Sequence, residues 1–162
     1  MKKPGYELKD DKPMEVREAA LAYYALPGKF SPGAILGLAN DQLMEPLQRV
    51  ATFRKGLSKG SFDRLKQVTG LDYENMARAL SVSSKTLQRK DVFDLVQSEK
   101  MYELATLYAS GISYFGQEGF RRWMERPLFS LGNIKPIDLI DVSEGVDLLK
   151  NEIMRVQHGI AI

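Results

Sequence analysis

The sequence contains no cysteine, which excludes disulfides and thiolate metal sites. Its one histidine, His158, is too few for a histidine-rich metal centre. No stretch approaches the roughly 18 consecutive apolar residues of a membrane span. The amino end, MKKPGYELKDDKPMEV, starts basic but has no apolar run behind it. We therefore expect no signal peptide, no membrane partner and a cytoplasmic location. A glycine-rich G-x-x-x-x-G-K phosphate loop is missing, and no serine has a neighbouring histidine to serve as its base. Carboxylate pairs do occur, at Asp10/Asp11, Asp138/Asp141 and Glu144/Asp147. At the starts of expected helices such pairs cap the helix or complement its dipole. The expectation is a protein with no catalytic residue, no metal and no cofactor, hence not an enzyme.

What is present is an ordinary globular composition, 44% hydrophobic and 27% charged over 162 residues. That suits one domain, or two small helical ones sharing a core. The net charge of +2 is unevenly spread. Residues 1–53 carry seven basic and seven acidic side chains, residues 54–90 nine and three, and residues 91–162 seven and eleven. A basic middle suits a phosphate backbone, and an acidic carboxyl part suits a different, basic partner.

Apolar spacing of three and four residues runs through most of the chain, with no alternating strand pattern of useful length, and the fold expected is all-α. MEVREAALAYYAL (14–26) has an apolar face at Val16, Ala19, Ala20 and Tyr23, and PGKFSPG breaks it. A second helix starts at or is interrupted by Pro46 and stops at Gly56. SFDRLKQVTG (61–70) gives a short helix with Ser61 as candidate N-cap and Gly70 at its end. A long helix is expected from about Val92 to Ser110, with Val92, Leu95, Val96, Leu104, Ala105, Leu107 and Tyr108 among its apolar positions. Pro127 closes a brief helix over QEGFRRWMERP, and Pro136 can open another short turn. The last helix places Val146, Leu149, Ile153 and Val156 on one face, with Ser143 as candidate N-cap and Gly159 as the residue just past its end. Trp123, Pro127 and Leu131 are expected in the core.

ENMARALSVSSKTLQRK (74–90) fits a helix-turn-helix position by position. Ala77 is small where a second helix would cross, and Met76 and Leu80 supply apolar contacts. Ser81 stands where a left-handed backbone is needed, Val82 is the apolar plug, Ser83 the cap of the second helix and Leu87 its buried residue. A positive φ costs a serine roughly 1 kcal/mol relative to glycine. In such a motif the amino-terminal residues of the second helix face the major groove. Ser84, Lys85 and Gln88 would face outward there, Gln88 able to pair with adenine and Lys85 with guanine or a phosphate. Ser83, Thr86, Arg89 and Lys90 would suit the backbone phosphates.

The carboxyl part, FGQEGFRRWMERPLFSLGNIKPIDLIDVSEGVDLLKNEIMRVQHGIAI, has a frame of Trp123, Pro127, Leu131, Gly132, Pro136, Leu139, Gly145, Arg155 and Gly159. That frame resembles the carboxyl domain of the Xre/MbcA/ParS antitoxins, and the helix-turn-helix lies before it as in that family. The likeness covers roughly residues 54–162; residues 1–53 are unmatched, and Ser81 departs from the common pattern. It implies three parts: an amino-terminal extension (1–53) of unassigned role, an Xre-like helix-turn-helix domain with its long connecting helix (54–110), and a toxin-binding domain (111–162). It also implies a type II antitoxin whose partner is a RES-domain toxin that consumes NAD or transfers ADP-ribose from it. The expected assembly is a homodimer that binds operator DNA as a transcription repressor and forms a higher hetero-oligomer with the toxin. By position, active-site occlusion falls on Arg155, Gln157, His158, Gly159, Ile160, Ala161 and Ile162. The alternative is a helix-turn-helix transcriptional regulator without a toxin partner.

Overall fold

The computed structural model describes residues 30–39, 42, 43 and 45–159. The expected 14–26 helix lies outside them, as do Ile160, Ala161 and Ile162. The described residues form eight α-helices: α1 Pro32–Leu36, α2 Pro46–Lys55, α3 Lys59–Thr69, α4 Tyr73–Leu80, α5 Ser84–Arg89, α6 Leu95–Phe115, α7 Gln117–Glu125 and α8 Ser143–Gln157. Two 3-10 turns, Phe129–Leu131 and Pro136–Leu139, lie between α7 and α8. No strand is named among the described residues, and the all-α expectation holds. None of their helices is long and apolar enough to cross a membrane.

Helix α6 is the axis of the molecule. Met101, Leu104, Ala105, Leu107, Tyr108, Ala109 and Ile112 are all buried, an apolar coverage wider than one stripe, and such a helix must be surrounded. It packs against α1, α2, α3, α4, α7 and α8. Its amino end is fixed by a capping box in which Asp94 receives the Gln97 N–H and Gln97 receives the Asp94 N–H. Burial pushes the Tyr108 phenol well above its ordinary pKa, so it stays protonated.

The helix-turn-helix is held at both ends. Lys59 N–H donates to Asp91 O at 2.8 Å, and Phe93 N–H to Leu57 O at 2.9 Å. The buried Ser98 hydroxyl accepts from Leu57 N–H and donates to Phe93 O. The strand-like pairing of 57–59 with 91–93 thus closes α3, α4 and α5 into one loop of chain seated on α6.

Several local expectations change. The cap of α3 is Ser58, which accepts from the Ser61 N–H at 3.3 Å; Ser61 itself is buried within the first turn. Helix α6 starts at Leu95 and runs through Gly111 to Phe115. Val92 precedes it, and Val92, Leu95 and Val96 are exposed. Helix α8 is capped by Val142 without a side-chain bond, because the Ser143 hydroxyl turns instead to Glu103 on α6 at 3.0 Å. Trp123 is buried against Phe115 and Phe120, and Leu131 packs on the core. Pro127 is exposed; it follows the extended Arg126 and ends α7 with its ring in solvent. The other boundaries, Pro46 at the start of α2, Gly56 and Gly70 at helix ends, and Pro136 opening a turn, stand as expected.

Candidate functional sites

The corner between α4 and α5 is built by backbone hydrogen bonding. Ser81 is left-handed, at φ 56° and ψ 43°. Its N–H donates to Arg78 O at 3.2 Å, and Val82 N–H reaches back to Ala77 O at 3.0 Å. These two bonds form a Schellman closure, which satisfies helix carbonyls that would otherwise lack donors. Val82 packs against the core, and Leu87 is fully buried on the opposite side of the turn. The Ser81 strain is therefore real but retained, because the turn's hydrogen bonds and two apolar anchors need that geometry.

Each of the seven residues expected at DNA can be placed. Ser83 caps α5, accepting from Thr86 N–H at 3.1 Å and donating to the Thr86 hydroxyl at 2.8 Å. Both hydroxyls are thus committed to the cap. Ser84 is half-buried rather than outward. Lys85, Gln88 and Arg89 are exposed, and their spacing of three and four puts them on one face of α5. Lys90 is half-buried, its ammonium hydrogen-bonded to Gln97 and 4.0 Å from Asp94. It closes the amino end of α6 and is not extended toward solvent.

The second site lies on α8 and the loop before it. Arg155 is half-buried and pairs through Nη1 with Glu152 at 3.3 Å. The other Glu152 oxygen accepts from the Ser130 hydroxyl at 2.6 Å. Gln157 is half-buried; His158 and Gly159 are exposed. Gly159 has φ 68° and ends the helix, its N–H donating to Val156 O at 3.1 Å. The structure thus gathers Arg155, Gln157, His158 and Gly159 at one helix end. Sequence reasoning did not single out Phe129, Ser130 or Glu152. A loop residue has no periodicity to mark it, and a hydrogen bond spanning 22 positions leaves no local signal.

Helix α7 is fastened to the end of α3. Gln117 donates to Val68 O at 3.2 Å, and Arg121 reaches the Gln67 and Val68 carbonyls at the end of α3. A cation there complements the helix dipole. Gly70 makes room for it: an added Cβ would lie 2.8 Å from the Arg121 guanidinium.

Comparison with known proteins adds the family. Residues 48–105 match the antitoxin Xre-like helix-turn-helix domain, and residues 110–159 match the antitoxin Xre/MbcA/ParS C-terminal toxin-binding domain. A relative named Prs ADP-ribosylating antitoxin, from Sphingobium sp. (strain YBL2), is 26% identical over 128 residues, covering 70% of this chain and 80% of its own length. Another, Antitoxin Xre from Photorhabdus laumondii subsp. laumondii, is 22% identical over 120 residues, covering 73% of this chain and 72% of its own. With both domains matched in order and relatives of the same type matched over 80% and 72% of their own lengths, the chain belongs to the Xre/MbcA/ParS antitoxin family, and is an antitoxin of a toxin–antitoxin system with a helix-turn-helix domain and a toxin-binding domain.

Proposed function

We propose that this antitoxin neutralises a RES-domain toxin by occluding its active site with the segment from Arg155 through Ile162, and that it binds operator DNA through α5. The observation that carries the toxin half is the end of α8. Arg155 is oriented by Glu152, and the helix stops at an exposed His158–Gly159 pair. Blocking a cleft requires no chemistry from this chain, only an ordered base from which the segment enters. The toxin's ADP-ribose chemistry is supported by the printed name of the Sphingobium relative. On this reading residues 111–162 hold the toxin, and the chain itself catalyses nothing.

The operator half rests on the exposed Lys85, Gln88 and Arg89 beside a rigid turn. Gln88 and Lys85 read base edges, and Arg89 contacts phosphates. Repression of the shared promoter needs two such units about 34–36 Å apart or a multiple of that, which calls for a homodimer. The exposed apolar run of Val92, Leu95 and Val96, directly after α5, supports that assembly.

The test is co-expression with the adjacent reading frame, followed by size-exclusion chromatography with light scattering and an assay of NAD consumption. A stable complex in which NAD consumption is suppressed is the expected result. A neighbour that is harmless alone and does not co-purify overturns the RES-toxin pairing.

A further inference from the structure

Phe129 is 83% exposed, although it belongs to a tightly hydrogen-bonded loop. Four backbone bonds close the loop. Leu128 N–H donates to Ile134 O at 3.1 Å, Leu131 N–H to Leu128 O at 3.1 Å, Gly132 N–H to Phe129 O at 3.0 Å and Asn133 N–H to Leu128 O at 2.8 Å. Gly132 and Asn133 are consecutively left-handed, at φ 68° and 61°. Leu128 is buried on one side of Phe129, and Leu131 packs on the core on the other. The register of a hydrogen-bonded loop therefore points the phenyl ring outward, and the backbone ordering needed to present it is already in place.

The loop is fastened to the flank of α8 that carries Arg155. The Ser130–Glu152–Arg155 chain of hydrogen bonds makes that link, at 2.6 and 3.3 Å. At 100° per residue, Leu148 falls on the same flank as Glu152 and Arg155, and it is exposed too. An outward aromatic, an exposed leucine and a guanidinium oriented by a carboxylate thus lie along one side of the domain. An aromatic that a partner buries within a rim of polar groups is the composition of a binding hot spot.

From these we propose that Phe129 is an anchor of the toxin interface, inserting into an apolar recess of the toxin beside the site reached by the α8 end. The proposal rests on the reading of residues 110–159 as the part that holds the toxin, which the family description of that segment supports. The occupant is the toxin because the ring is continuous, through Ser130 and Glu152, with the helix end assigned to it. Residues 128–159 carry three basic and five acidic side chains, so the recess has a basic or hydrogen-bond-donating rim. Occlusion is then one end of a larger contact, and the anchor determines which toxin is held.

The experiment uses the full-length chain and the product of the adjacent reading frame. Binding, light-scattering mass, thermal stability and operator binding are measured for the wild type, Phe129→Ala, Phe129→Tyr and Leu148→Ala. The expected result is a toxin affinity lowered by about 30-fold or more in Phe129→Ala, largely kept in Phe129→Tyr and lowered to a smaller degree in Leu148→Ala. Melting temperature, mass of the free antitoxin and operator binding stay as in the wild type. Wild-type affinity in Phe129→Ala overturns the proposal and leaves the antitoxin reading intact. A changed mass of the free Phe129→Ala protein overturns it as well, assigning the face to a second copy of the chain. A wild-type chain that holds no toxin overturns the toxin pairing itself, and the anchor with it.

Discussion

The Phe120 ring packs onto the backbone of α6 at Gly111, so closely that a Cβ there would lie 2.2 Å from the nearest ring carbon. Phe120 is fully buried and stacked on Trp123, with Tyr108 meeting it edge-on at 5.0 Å. The ring has no room to retreat. Gly111→Ala gains about 1 kcal/mol of helix propensity, and the clash outweighs it. We expect a net destabilisation of about 1–3 kcal/mol, the usual range for overpacking, read as a lower midpoint in thermal or urea unfolding. An unchanged midpoint would mean that α7 can shift away from α6.

The turn at Ser81 makes a separable claim about strain. Ser81→Gly relieves the left-handed cost, and a freer unfolded chain returns part of that gain, so stability rises by about 0.5 kcal/mol. Ser81→Val places a β-branched side chain at positive φ and lowers stability by about 1–2 kcal/mol. Urea midpoints of the two variants should fall on opposite sides of the wild type.

For the exposed face of α5, two kinds of loss are expected. Gln88→Ala costs about 1–3 kcal/mol of operator affinity and relaxes base preference at one position. Arg89→Ala weakens binding on all sequences and reduces the slope of affinity against salt by about one. Lys90→Ala gives a smaller effect on DNA than Arg89→Ala, because its ammonium is already engaged by Gln97 and Asp94. Fluorescence anisotropy on operator and unrelated duplexes over a salt series separates these.

Deleting Gly159–Ile162 leaves the α8 packing face of Val146, Leu149 and Ile153 untouched. Operator binding and melting temperature should persist while suppression of the toxin's NAD consumption is lost. If the truncated chain still protects cells, occlusion does not run through this segment.

Val96→Glu places a charge in the exposed apolar run beside α5. The expected outcome is a shift toward monomer in light scattering, with operator affinity falling in parallel. A dimer of undiminished stability would move the seam elsewhere.

Much of the fold was legible because it is local. Helix periodicity, Pro46 and Pro136 at starts, Gly56, Gly70 and Gly159 at ends, and the whole spacing from Ala77 to Leu87 depend on residues within a few positions of one another. Several of the misreadings occurred where a partner outside the local run decided the outcome. Gly111 looks like a stop, yet α6 continues through it because the glycine admits Phe120. Ser143 is a good cap by type, but Glu103, 40 positions away, takes its hydroxyl. Lys90 reads as a phosphate contact until Gln97 is folded against it.

The same division holds for function. Order and spacing of two motifs sufficed to mark an antitoxin, since each motif is a local run of residues with fixed geometric needs. Which charges are free for a partner, and that Phe129 stands outward on a loop tied through Ser130 and Glu152 to Arg155, followed only from the tertiary structure. Exposure and long-range hydrogen bonds are properties of how helices pack around α6, and no single segment of the chain contains them.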